Sequence, residues 1–130
     1  VPILFVENRL AEEMDNRRQH YRIRYPEGEQ PRFVFSSSIS EVLECSERGI
    51  RVRPSGRVPA TGEEVSGRIT MCHGAQVSVA GTVIWSELGI IAIHLDVRPI
   101  PFLAIIREQL YLRRVARRRA EEEREASRPD

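Results

Sequence analysis

The sequence predicts a mainly β fold, an antiparallel barrel or sandwich followed by a C-terminal helix. Short alternating segments recur at near-regular spacing from residue 20 onward. No helical period separates them, so antiparallel neighbours rather than crossover units are expected. After Pro99 and Pro101 the period changes to that of an amphipathic helix. With 130 residues, one domain with a single core is the natural size.

The elements follow in order. Residues 1–16 form a polar N-terminal arm, and Leu10 and Met14 alone hint at a helical face within it. His20-Tyr21-Arg22-Ile23-Arg24-Tyr25 alternates, and Pro26-Glu27-Gly28 turns the chain. Strands are expected at 32–36, 40–44 and 50–53; in the last, Ile50 and Val52 face one way and Arg51 and Arg53 the other. The run 64–71 alternates more weakly, with Val65, Gly67, Ile69 and Met71 on one face. The longest strand is expected over 76–85, with Val77, Val79, Gly81, Val83 and Trp85 in phase. That phase assigns Trp85 to the core. Gly81 within it predicts a bend or a close backbone approach. A last strand over 90–95 sets Ile91, Ile93 and Leu95 on one face. The barrel unit thus closes at residue 100, and 101–130 is a helix with a charged tail. Its stripe of Phe102, Ile106 and Leu110, with Leu103 and Ile105 beside it, either packs on the barrel or pairs two copies of the chain. Arg117-Arg118-Arg119 ahead of Glu121-Glu122-Glu123 is the weaker order for pairing along a helix.

Composition narrows the function classes. The hydrophobic fraction is 41% and the net charge +1, so no global positive field recruits long nucleic acid. All 20 basic residues are Arg, which offers planar, bidentate recognition where its position is right. No apolar run approaches the ~18 residues of a membrane span. The opening Val1–Val6 run is too short for a signal peptide, so a cytoplasmic address without membrane insertion is expected. Cys45, Cys72, His20, His73 and His94 show no metal-ligand spacing, and no metal or cofactor is expected. No nucleophile, base and acid can be assembled by spacing, and there is no phosphate-cradling Gly loop; the expectation is a non-enzyme.

Two segments stand out. Arg17-Arg18-Gln19-His20-Tyr21-Arg22 sets two arginines four apart, with a third in front. Glu44-Cys45-Ser46-Glu47-Arg48-Gly49 ends just before a strand. Together, in this order, they resemble the paired motifs of the PilZ domain family, and Gly81-Thr82-Val83-Ile84-Trp85 resembles its penultimate strand. The resemblance covers about residues 17–112. It implies a six-stranded antiparallel barrel over 17–100 that binds the bacterial second messenger cyclic di-GMP. It implies ligand-binding roles for Arg17, Arg18, Arg22, Glu44, Ser46 and Gly49.

The physical chemistry is compatible with those roles. Arg is a bidentate partner of phosphate and of the guanine O6/N7 edge. Glu44 would accept from guanine N1–H and N2–H₂, and Ser46 would offer its hydroxyl. Gly49 would adopt a positive φ or admit the ligand close to the backbone. The output would be an unidentified protein effector in motility, exopolysaccharide synthesis, pili or virulence. Glu44 stands where the family usually has Asp or Asn. That departure favours an alternative, a PilZ-like interaction adaptor that does not bind cyclic di-GMP.

Overall fold

The structure is a computed structural model that describes residues 22–128. Among the described residues, seven strands and one helix follow in chain order: β1 (Ile23–Arg24), β2 (Arg32–Phe35), β3 (Ser38–Cys45), β4 (Gly49–Pro54), β5 (Glu64–Thr70), β6 (Gln76–Glu87), β7 (Ile90–Arg98) and α1 (Phe102–Ala126). Strands β2 to β7 close an antiparallel barrel in the order β3-β2-β5-β6-β7-β4, with β4 pairing back onto β3. The short β1 lies outside the ring. It pairs with the end of β3 through Ile23 opposite Cys45 and Arg24 opposite Glu44. The N-terminal arm, including a helical reading of it, lies outside the described residues.

Period-2 alternation drives the closure. Phe33, Phe35, Val42, Ile50, Val52, Ile69, Val79, Val83, Ile91, Ile93 and Leu95 are all buried and fill the barrel. Two glycines let strands approach where a side chain could not stand. A Cβ on Gly81 would lie 1.9 Å from the His94 carbonyl oxygen, and one on Gly67 would lie 2.2 Å from that of Val34. The close approach expected at Gly81 is therefore present. Leu88 and Gly89, at φ 54° and 78°, make the tight turn from β6 to β7, a conformation that suits Gly in a two-residue hairpin.

Three register shifts interrupt the pairing, and two of them are β-bulges with one extra residue. In β3 the pairing with β4 shifts between Val42 and Glu44, and in β6 the pairing with β7 shifts between Ala80 and Thr82 and again between Val83 and Trp85. At the first and last of these an extra residue reverses the facing of the residues after it, whereas the alternation of β6 runs unchanged through the Ala80–Thr82 shift. Val42 points into the core, so strict alternation would send Glu44 there too; the bulge turns Glu44 outward and Cys45 inward. Likewise Val83 is buried while Trp85 is only half-buried and faces outward. The expectation of Trp85 in the core is corrected by this bulge.

Helix α1 packs on the barrel and the residues after β1, with a face turned from the expected stripe. Ile105, Ile106 and Glu108 are its buried residues. Phe102 and Leu110 are only half-buried, and Leu103 is 47% exposed. Glu108 is the anchor. Its Oε2 accepts from the Tyr25 hydroxyl at 2.6 Å and the Cys72 amide at 3.0 Å. Its Oε1 accepts from the His73 amide at 3.0 Å and lies 2.7 Å from His73 Nδ1. A carboxylate that accepts from three donors, with an imidazole nitrogen beside it, is a satisfied buried group. Farther along the helix, Arg119 pairs with Glu29.

Candidate functional site

A groove of about 210 Å³ opens on the outer face of the barrel where β3, β4, β6 and β7 meet, with Arg22, just before β1, at its edge. Its walls include Arg22, Glu44, Ser46, Gly49, Arg51, Trp85 and Ala92. Cross-strand register builds it. Arg24 on β1 stands opposite Glu44 on β3, Glu44 opposite Arg51 on β4, Arg51 opposite Ala92 on β7, and Ala92 opposite Trp85 on β6. These five residues form one row across five strands. Ala92 carries only a methyl group, and the Arg51 guanidinium carbon reaches past it to lie 5.3 Å from the centre of the Trp85 ring. That is cation–π range.

Glu44 sits between two cations. Arg24 Nε lies 3.0 Å from its Oε1, and Arg51 Nη1 lies 3.1 Å from its Oε2. Its side chain is 14% exposed, whereas those of Arg24 and Arg51 are 85% and 44% exposed. Two cations around one anion leave the row with surplus positive charge, and Arg22 adds to it at the groove edge. The two bulges described above turn Glu44 and Trp85 into this row.

The Ser46–Gly49 turn forms the floor. The Ser46 amide donates to the Gly49 carbonyl at 2.8 Å, and Ser46 Oγ donates to the same oxygen at 3.3 Å. The turn is tied to the strand and connection opposite: Leu95 N donates to Arg48 O and Ile100 N to Glu47 O, both at 2.8 Å. Gly49 is not in the left-handed region, in contrast to Gly28, Gly62, Gly74 and Gly89. It opens β4 opposite His94, and a paired strand residue is extended, so of the two uses expected of it, a positive φ or a close approach of ligand to backbone, the positive φ is not adopted. A Cβ at Gly49 would meet Ser46 Oγ at 3.6 Å and the Ile93 carbonyl oxygen at 3.7 Å, which is ordinary contact.

Of the six residues singled out from the sequence, the groove brings together Arg22, Glu44, Ser46 and Gly49. Arg17 and Arg18 lie outside the described residues. Arg24, Arg51 and Trp85 were not among the six. The outward phase of Arg51 was visible in the alternation of β4; its meeting with Trp85 depends on a bulge and on the small Ala92, neither of which has a periodic signal. A second depression, about 350 Å³, lies between the Ser36–Ser37 turn and the 55–65 segment. It gathers none of the six, and its Arg57 is paired with Glu63.

The cysteines are held as thiols. Burial pushes the Cys45 thiol up to about 12. Burial, with the Glu108 carboxylate nearby, pushes Cys72 up to about 12 as well. Burial raises the Tyr25 phenol far above its usual range, with Cys45 and Glu108 adding to the effect. Tyr25 therefore donates rather than ionises. Among the described residues no His, Cys, Asp and Glu side chains cluster as a metal site, and no helix is long and apolar enough to cross a membrane.

No family model and no curated protein matches the chain. A solved structure of an uncharacterised protein from Legionella is similar at 19% identity and a TM-score of 0.44, covering 81% of this chain and 99% of that one. At that level the likeness carries no argument about function, and the groove and its chemistry stand on their own.

Proposed function

We propose that this chain is a PilZ-like receptor for cyclic di-GMP that passes the signal to a protein partner. The observation that carries the reading is the convergence of Arg22, Glu44, Ser46 and Gly49 on one groove with surplus positive charge. The two phosphates of cyclic di-GMP suit arginine, and its guanines offer O6/N7 edges to the same side chain. At about 210 Å³ the groove is smaller than the ~300–1,000 Å³ usual for a whole small-molecule site. It suits one nucleotide half of the ligand.

Calorimetric titration with cyclic di-GMP tests this. Binding at micromolar or tighter affinity is expected, with loss of at least tenfold in Arg22→Ala and in Arg18→Ala. A wild-type chain that gives no heat and no competition overturns the reading.

One observation favours the alternative, an interaction adaptor that does not bind the nucleotide. Each Glu44 oxygen has an arginine beside it, Arg24 at 3.0 Å and Arg51 at 3.1 Å, so a guanine would have to share the carboxylate with two cations. In that case Arg18→Ala and Arg22→Ala would leave partner contacts intact while no nucleotide binds.

A further inference from the structure

The resemblance would have Glu44 accept a guanine's N–H donors, yet its two oxygens already hold Arg24 and Arg51. A base could reach the lone pairs that remain only by crowding in beside two guanidinium groups on a carboxylate that is 14% exposed. The same contact gives Glu44 another use. Arg51 is a long side chain on an outward strand position, 44% exposed, and would otherwise sample many rotamers. Glu44 holds it from one side at 3.1 Å, and the Trp85 ring holds it from the other at 5.3 Å. Both partners owe their positions to bulges, and Ala92 supplies the space between. The result is a guanidinium fixed at the groove wall. Glu44 engages one of its corners, and its remaining N–H donors are available to a ligand.

We propose that Glu44 is a positioning residue and that Arg51 is the specificity-determining contact, reading the paired acceptors of an oxo-purine. This rests on the cyclic di-GMP reading above. Guanine presents O6 and N7 as adjacent acceptors, which match two donors of one guanidinium. Adenine presents N7 beside an N6 donor, which opposes them. Arg51 thereby favours a guanine over an adenine dinucleotide at this wall.

A double-mutant cycle with a spectroscopic readout tests it. Trp85 is the chain's only Trp, so its emission reports the Arg51 contact directly. Calorimetry with cyclic di-GMP and cyclic di-AMP is run on the wild type, Glu44→Ala, Glu44→Gln, Arg51→Ala and the Glu44→Ala/Arg51→Ala pair. Arg51→Ala is expected to lose about ten- to hundredfold in cyclic di-GMP affinity and to narrow the preference over cyclic di-AMP. Glu44→Ala is expected to lose a similar factor, with the pair no worse than Arg51→Ala alone. In the ligand-free protein Glu44→Ala should shift Trp85 emission as Arg51→Ala does, and Glu44→Gln, which keeps an acceptor, should shift it less. Thermal midpoints identify any variant that fails to fold, and Glu44→Gln then replaces Glu44→Ala in the cycle.

Losses that multiply in the double variant, or Trp85 emission indifferent to Glu44, overturn the positioning role. Unchanged binding and nucleotide preference in Arg51→Ala overturn the specificity role. A wild-type chain that binds neither nucleotide overturns the receptor reading and this one together.

Discussion

At the scale of single residues, the glycines divide by what surrounds them. Gly81 stands where a Cβ would lie 1.9 Å from the His94 carbonyl oxygen, so backbone itself must move to admit a methyl group. Gly49 has room, with nothing closer than 3.6 Å. Gly81→Ala should therefore lower the thermal midpoint by well over ~5 °C or prevent folding, since a clash in a close-packed barrel costs on the order of 1–3 kcal/mol or more. Gly49→Ala should fold with its midpoint within a few degrees of wild type. It should weaken cyclic di-GMP all the same, because its methyl group enters the groove. Thermal melts and calorimetry on the two variants check both statements. Gly81 was legible in the sequence because a Gly set into a strong apolar alternation marks a position with no room for a side chain. Gly49 left two uses open, because a Gly before a strand serves a left-handed turn as readily as an extended one, and its backbone is extended.

At the scale of elements, alternation located all the strands after residue 30 to within a few residues. What it could not locate were the bulges. Val42 and Glu44 share a parity, as do Val83 and Trp85, and a strict period puts all four on one side. The extra residue in each strand has no compositional mark, so the site's two most informative side chains were invisible as a pair. The helix shows the same limit. Its apolar residues predicted a stripe through Phe102, Ile106 and Leu110 with Leu103 and Ile105 beside it; of these Ile105 and Ile106 are buried, and the buried face continues through Glu108 rather than Leu110. Glu108 falls three residues after Ile105 and four before Leu112, and that spacing was the available signal for a buried acid. Two substitutions check the rotation. Ile106→Ala, at a fully buried position, should cost about 2–5 kcal/mol, whereas Leu103→Ala, at 47% exposure, should fall within about 0.5 kcal/mol. Glu108→Ala should cost about 3–5 kcal/mol by leaving the Tyr25 hydroxyl and two amides without their acceptor. Urea unfolding measures all three.

At the scale of the whole molecule, the polar knot beneath α1 sets how the fold responds to alkali. Cys45 and Cys72 are each held up to about 12, against ~8.5 for a free thiol. The unfolded chain therefore releases these protons first as the pH rises, and ionisation favours it. Stability should be flat up to pH ~8.5 and fall steadily from there toward pH 12. Cys45, which is 2% exposed, gives a slope of about 1.4 kcal/mol per pH unit in that window. Tyr25 adds to the loss above pH ~10, the usual range of a phenol. Urea midpoints at pH 8 and pH 10.5 should differ accordingly, and equal midpoints would refute the assignment. In the native state at pH 8 both thiols should react slowly with alkylating reagents, and quickly once urea is added.

The pairing of β4 with β7 also has a consequence in time. It joins Gly49 to His94, Ile50 to Ile93 and Val52 to Ile91, partners from distant parts of the chain. Contacts of that kind form slowly, because a long loop must be ordered before they repay its entropy. The β3–β4 hairpin, with Glu44 and Arg51 already opposed, can form early and locally. The Trp85 wall and Ala92 arrive only when the last seam of the barrel closes. Emission from the lone indole should therefore change in the slowest phase of refolding, and a chain emerging from the ribosome would have no groove until nearly all of its sheet had been synthesised.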